Sequence, residues 1–214
     1  MPLTTRALCT PNQERYVQAL RGKKPIVVAV GPAGTGKTYL ACQQGVQQLI
    51  NSHTKRLVVT RPVAPVGDDH GYLPGDIKQK LAPWLQPIYD SISKYDSKDL
   101  KKNKVQNAIE IAPLAYMRGR TFEHSWIIAD EMQNATPEQT KMLLTRLGEG
   151  SKLVLTGDVQ QCDIERSGLV DFIERLKDFG TSEYVEYVSL DAGDIARHEA
   201  VKEIIEIYDS TQML

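Results

Sequence analysis

Residues 31–38 read Gly-Pro-Ala-Gly-Thr-Gly-Lys-Thr. Glycines at 31, 34 and 36 admit backbone conformations closed to other residues, so successive N–H groups can turn inward around a polyphosphate. The pattern is G-x-x-x-x-G-K-[ST], in which Lys37 reaches the β- and γ-phosphates and Thr38 offers a hydroxyl to Mg²⁺. An ordinary glycine-rich turn requires neither residue. The expected cofactor-binding stretch is Gly31, Pro32, Ala33, Gly34, Thr35, Gly36, Lys37, Thr38 and Tyr39. A second cluster closes an apolar run, Ile127-Ile128-Ala129-Asp130-Glu131. Asp130 is suited to hold the Mg²⁺ hydration shell, and Glu131 to orient, or take a proton from, a water attacking the γ-phosphate. Two carboxylates after a strand could be a solvated turn, but their pairing with residues 31–38 favours a Walker B site. A water-activating glutamate favours hydrolysis over phosphoryl transfer to a metabolite. Gln133 follows two residues later. A further run, KLVLT, leads into Thr156-Gly157-Asp158-Val159-Gln160-Gln161. There Gln160 is the candidate γ-phosphate sensor, with a turn glutamine in solvent as the alternative.

These groups must be carried by elements that converge. Apolar, Val- and Ile-rich runs recur at 25–30, 56–60, 108–112, 125–129, 152–156 and 183–190. Most lack period-two alternation, as parallel strands covered on both faces do. Helical spacing fills the intervals at 39–50, 77–93, 137–147, 169–179 and 196–208. Strands alternating with helices predict an α/β sandwich of βαβ crossovers. The phosphate-loop motif follows a strand and opens a helix, whose positive dipole end lies under the β-phosphate. Thr136-Pro137-Glu138-Gln139 predicts a capping box, with Gly148 and Gly150 as C-terminal stops.

The 214 residues suit one domain, and 41% hydrophobic with 25% charged residues is ordinary globular usage. With 26 basic and 27 acidic residues the net charge is -1, so any surface for nucleic acid must be local. Cys9, Cys42 and Cys162 lack CxxC spacing and are odd in number, which excludes a disulfide framework and a zinc site. No signal-peptide pattern and no membrane-length apolar run occur, so a soluble, cytoplasmic protein is expected. Lys94–Lys104, KYDSKDLKKNK, reads as an exposed lysine-rich insertion: a solvated loop, or a basic finger on nucleic-acid phosphates.

The blocks LCTPNQERYVQAL, GPAGTGKTYLA, VVTRP, APLAYMRGRTF, IIADEMQNATPEQTKMLLTR, TGDVQQCDI and DIARHEAVKEIIEIY occur in this order. From about Thr10 to Tyr208 the chain thus resembles the PhoH-like, phosphate-starvation-inducible P-loop ATPases, a family similar to the ATPase core of superfamily-one helicases. The resemblance implies a RecA-like three-layer α/β/α fold with a mainly parallel sheet. It also implies ATP with Mg²⁺, hydrolysis linked to RNA, and assembly into a homo-oligomeric ring, such as a hexamer. It makes Gln13 a candidate adenine reader, although the residue could equally be polar surface on the first helix. Arg61, Arg118 and Arg120 become candidate phosphate or single-stranded RNA contacts, with structural ion pairs as the alternative. Arg197 becomes a candidate arginine finger, against a helix-start pair with Asp194. The segment between Asp163 and Ser167 is shorter than the family's usual loop, which puts any contact made there in doubt. The chain's end near the ATPase core implies a minimal member without an attached RNA-binding or nuclease domain.

The leading expectation is therefore an ATPase acting on RNA. A nucleotide-dependent binding switch with little turnover, and a small-molecule kinase, are the competing classes. The kinase lacks a recognisable arginine-rich lid.

Overall fold

The computed structural model describes residues 10–62 and 107–195. The helices expected at 77–93 and 196–208, the lysine-rich stretch 94–104 and Arg197 lie outside the described residues. Six strands form one sheet: β1 (Ile26–Val30), β2 (Arg56–Arg61), β3 (Ile109–Pro113), β4 (Ser125–Ala129), β5 (Lys152–Gly157) and β6 (Val185–Ser189). Their order is β3-β2-β4-β5-β1-β6, and every pairing between them is parallel.

Alternate residues of each strand enter opposite cores, which explains the unbroken apolar runs. Val27, Ala29, Leu57, Val59, Trp126, Ile128 and Val154 pack under α1 (Pro11–Arg21) and α2 (Lys37–Ile50). Val28, Val30, Val58, Ile127, Ala129, Leu153 and Leu155 face α3 (Pro137–Leu144) and α4 (Gly168–Phe179). Each fully buried aliphatic side chain contributes roughly 1.5–3 kcal/mol, so the two cores together fix the layers. The result is a three-layer α/β/α sandwich around an all-parallel sheet. Near the middle of α2, Gly45 lets the helix settle onto Trp126, because a Cβ there would stand 2.6 Å from the indole Cδ1.

Helix ends follow local chemistry. Thr136 caps α3 through the expected box with Gln139. Thr10 caps α1 through an identical box, its hydroxyl accepting from Gln13 N–H while Gln13 Oε1 accepts from Thr10 N–H. At the far end of α1, Lys152 Nζ donates to the carbonyls of Ala19, Leu20 and Gly22 at 3.3, 2.8 and 2.7 Å. These carbonyls close the last turn of α1, where Ala19 O also accepts Gly22 N–H, and burial lowers the lysine pKa to about 8.

One boundary differs from expectation. Helix α3 stops at Leu144 rather than 147, because the following segment bridges Phe122 to Leu147 and Gly148 N–H donates to Phe122 O at 2.8 Å. Gly148 and Gly150 are thus not helix stops. Gly148 is where that bridge passes so close that a Cβ would lie 2.5 Å from Phe122 O. No helix among the described residues is long and apolar enough to cross a membrane.

Because all strands run the same way, their carboxyl ends share one edge, where parallel sheets place ligands. Strand β5 lies between β1, which leads into residues 31–38, and β4, which leads into Asp130 and Glu131. The ends of β1, β5 and β4 therefore meet.

Candidate nucleotide site

The loop from Gly31 to Gly36 leaves β1 and enters α2 directly. Gly31 N–H donates to Gly157 O at 3.2 Å, and a Cβ on Gly31 would stand 2.5 Å from Leu190 O, so only glycine fits between the ends of β5 and β6. Gly36 caps α2 at φ 84°, a left-handed conformation that carries no side-chain cap. The first-turn N–H groups of α2 have no intrahelical acceptor, and no acidic residue occupies that turn. The helix thus presents unopposed donors and a positive dipole end to an anion.

Lys37 is 8% exposed. Its ammonium donates to Gly31 O at 2.6 Å, Pro32 O at 2.8 Å and Thr35 Oγ1 at 3.3 Å, drawing the loop around itself. Burial lowers its pKa, opposed by the carboxylates of Asp158, Glu131 and Asp130. A phosphate in the cradle would compete with the loop carbonyls for that ammonium, which fits a polyphosphate ligand.

Asp130 and Thr38 meet as expected. Asp130 Oδ1 accepts from Thr38 Oγ1 at 2.7 Å and from Thr156 Oγ1 at 2.6 Å. Mg²⁺ is held through one or two protein oxygens, with waters and substrate phosphates completing its shell. Thr38 and Asp130 fit that donor set.

Glu131 adopts φ 53° and ψ 38°, the left-handed region, which costs a residue with a Cβ roughly 1–2 kcal/mol. The turn is secured on both carboxylate oxygens. Oε2 accepts from Gln133 Nε2 at 2.6 Å, and Oε1 meets Arg61 Nη2 at 3.3 Å. Gln133 is 2% exposed, and its own Oε1 accepts Asp158 N–H at 3.1 Å. Asp158 in turn accepts from Ala33 N–H at 3.2 Å through Oδ2 and from Gln160 N–H at 3.0 Å through Oδ1. A continuous polar path therefore runs from the phosphate loop through Asp158 and Gln133 to Glu131.

A family model described as PhoH-like protein matches residues 7–209. The chain belongs to the PhoH-like family. The PhoH-like protein of Bacillus subtilis (strain 168) is 46% identical over 204 residues, covering 94% of this chain and 63% of that protein. Protein PhoH of Escherichia coli (strain K12) is 39% identical over 202 residues, covering 92% and 56%. This PhoH-like chain thus spans about three-fifths of the length of these relatives. Among solved structures, a Pif1 helicase from Candida albicans aligns with a TM-score of 0.44 at 18% identity, covering 94% of this chain and 43% of that one. The Phi-28 gp11 DNA packaging motor aligns with a TM-score of 0.44 at 12% identity, covering 81% and 58%.

Within this PhoH-like site, Gly31 to Thr38, Asp130 and Glu131 come together. Tyr39, in the first turn of α2, packs its ring against the α1–α2 core. Gln160 does not join them: its side chain is exposed, and its recorded bond is the backbone one to Asp158. Gln13 is buried but differently employed. Its Nε2 donates to Thr35 O at 3.1 Å and Asp194 O at 2.9 Å, so both amide protons tie α1 to the phosphate loop and to the segment after β6. In this conformation no amide proton is left for an adenine edge. Arg120 forks onto Glu110 at 2.6 and 2.9 Å over the Phe122 ring, the structural ion pair rather than a ligand contact. Arg118 is exposed.

The residues that pattern reading missed are Asp158, Gln133 and Thr156. Asp158 and Thr156 stand in the block chosen for Gln160, and the signal that would have found them is distance from the strand end. The first residues off a parallel strand face the ligand edge, and Gln160 lies three beyond Gly157.

Proposed function

We propose that this PhoH-like chain binds ATP with Mg²⁺ and hydrolyses it, with turnover coupled to single-stranded RNA. The observation that carries the reading is the convergence of Thr38 and Thr156 on Asp130, with Glu131 fixed beside them by Gln133. The phosphate loop and Lys37 hold the polyphosphate, while Thr38 and Asp130 hold the metal. Bound Mg²⁺ neutralises charge on the β- and γ-phosphates. Glu131 orients the attacking water or accepts its proton, and Asp158 links its position to the loop through Gln133 and Ala33. Arg197 completes the site as an arginine finger, in cis or from a neighbour in a ring of identical chains. The RNA part is supported by exposed Tyr116 and Arg118 just beyond β3, on the same edge as the nucleotide site.

Phosphate release from ATP and Mg²⁺, with and without single-stranded RNA, tests the reading. Turnover should rise with RNA and fall at least about 100-fold in Lys37→Ala, as removal of one preorganised charge contact does. Turnover indifferent to RNA would leave the ATPase and remove the coupling. ATP binding without release would instead favour a nucleotide-dependent switch.

A further inference from the structure

We infer that Gln13 is a positioning residue of the phosphate loop: its amide holds the Thr35 carbonyl and so aims the Gly36 N–H at a polyphosphate, whatever base that polyphosphate carries. The inference deepens the proposed function and rests on it for the identity of the phosphate-loop ligand.

The Gln13 side chain is 5% exposed and is held from three sides. Oε1 accepts from Thr10 N–H at 3.1 Å, while Nε2 donates to Thr35 O at 3.1 Å and to Asp194 O at 2.9 Å. The third partner is itself fixed, since Asp194 is 2% exposed and its carboxylate accepts from Thr10 Oγ1, Asn12 Nδ2 and Asp191 N–H. An amide pinned in this way is a rigid donor. It stands against the loop, where a Cβ on Gly36 would lie 3.8 Å from Nε2.

What the bond does follows from the peptide group. A trans peptide is planar, with its C=O and N–H pointing to opposite sides. Fixing the Thr35 carbonyl toward α1 therefore points the Gly36 N–H away from α1. Thr35 is buried while Ala33 and Gly34 are exposed, so the side away from α1 is the open one. Gly36 N–H donates to no group among the described residues, and an N–H at this place in the loop is one that a phosphate oxygen takes. Tyr16, three residues on and on the same face of α1, repeats the arrangement. Its hydroxyl, on a wholly buried ring, donates to Lys37 O at 3.2 Å, which turns the Thr38 N–H the opposite way. The Lys37 carbonyl is also set by the helical geometry of α2, so Tyr16 contributes less than Gln13.

A donor aimed at phosphates that do not react binds ground and transition states alike, so its loss raises KM and leaves kcat. A reader of adenine would act on ATP alone. The probe that separates these roles has no base. Isothermal titration with inorganic tripolyphosphate and Mg²⁺ would compare wild type, Gln13→Met, Tyr16→Phe and Thr136→Ala, with phosphate release from ATP, GTP and UTP in parallel. Gln13→Met keeps the length of the side chain and loses both amide protons. It should weaken tripolyphosphate binding about three- to tenfold, the span of one net hydrogen bond, and raise KM by the same factor for all the nucleotides with kcat kept. Tyr16→Phe deletes one hydroxyl and should give a smaller loss of the same base-independent kind. Thr136→Ala weakens the capping box of α3 and should lower stability without moving either readout.

Unchanged tripolyphosphate affinity in folded Gln13→Met, or a KM rise confined to ATP, would overturn the inference. A loss matched by Thr136→Ala would overturn it as well, as an effect of stability alone. Should Gln13→Met fail to fold, wild-type affinity in Tyr16→Phe would overturn it. Tripolyphosphate binding by wild type that Lys37→Ala abolishes would keep the nucleotide site even where Gln13→Met sinks the brace. The expected loss of tripolyphosphate affinity without any phosphate release would keep the brace and remove hydrolysis.

Discussion

Two arginine–carboxylate pairs sit on neighbouring strands and look alike by exposure. Arg120–Glu110 is 30% and 36% exposed, and Arg61–Glu131 is 34% and 36% exposed. Their geometry separates them. The first is a two-pronged fork at 2.6 and 2.9 Å, braced by Phe122 at 4.6 Å from the guanidinium carbon. In the second, Nη2 meets Oε1 at 3.3 Å, and Gln133 holds the other oxygen of that carboxylate. A matched fork on a ring is a pair that staples a strand to the turn after it. A longer contact on a left-handed turn at the ligand edge is a pair that sets the position of a carboxylate beside the phosphate loop. Accessibility alone would have classed them together.

The sharpest break between the two would come from neutralising each carboxylate. Glu131→Gln should lower ATP hydrolysis by about 10²–10⁴, the range for loss of a general base, with nucleotide binding kept. Equilibrium titration with a fluorescent ATP analogue alongside phosphate release would check this. A protein that lost stability instead, with its turnover intact, would make Glu131 another Glu110. Next in size is Gln133→Ala, which removes one charge-assisted bond and leaves Asp158 N–H without its acceptor. Turnover should fall roughly tenfold and stability by about 1–3 kcal/mol, read by single-turnover kinetics and urea unfolding.

Arg120→Ala is the smaller contrast. It should cost about 1 kcal/mol in urea unfolding, allowing for solvent screening of the pair, and leave turnover unchanged. The pH dependence sharpens this last point. The Arg120 side chain, bonded to Glu110, holds that carboxyl below its ordinary range. A depressed folded-state pKa gives stability that is full above about 4.3 and is lost as the pH falls through the lower folded value. The stability gap between wild type and Arg120→Ala should therefore close below about pH 4, as followed by unfolding at successive pH values.

Much of this architecture was legible because one physical signal dominates it. Strands covered on both faces must be apolar throughout, so the runs at 25–30, 56–60 and 125–129 gave β1, β2 and β4 to within a residue. The phosphate loop was legible for a different reason, since close backbone approach and a cation leave few alternatives at Gly31, Gly36 and Lys37. The site's internal wiring was not. Gln133 and Asp158 are ordinary polar residues in sequence, and only the burial of both beside Glu131 and Ala33 gives them a role. Gln13 shows how a signal can be present and unused. Thr10-Pro11-Asn12-Gln13 has the same form as Thr136-Pro137-Glu138-Gln139, and both form capping boxes. The end of α3 escaped because the bridge from Phe122 to Leu147 is a tertiary contact that no local pattern announces.

The seat of α2 on Trp126 gives the molecule an optical gauge. The helix whose first turn forms the anion cradle rests its midpoint, at Gly45, directly against the indole. Any tilt or slide of that rod on ligand capture changes the surroundings of a fluorophore that solvent scarcely reaches. The chain has two tryptophans, so a Trp84→Phe variant would leave Trp126 as the single emitter. Its emission maximum and quenching by acrylamide would then report the helix's position in real time, without any label.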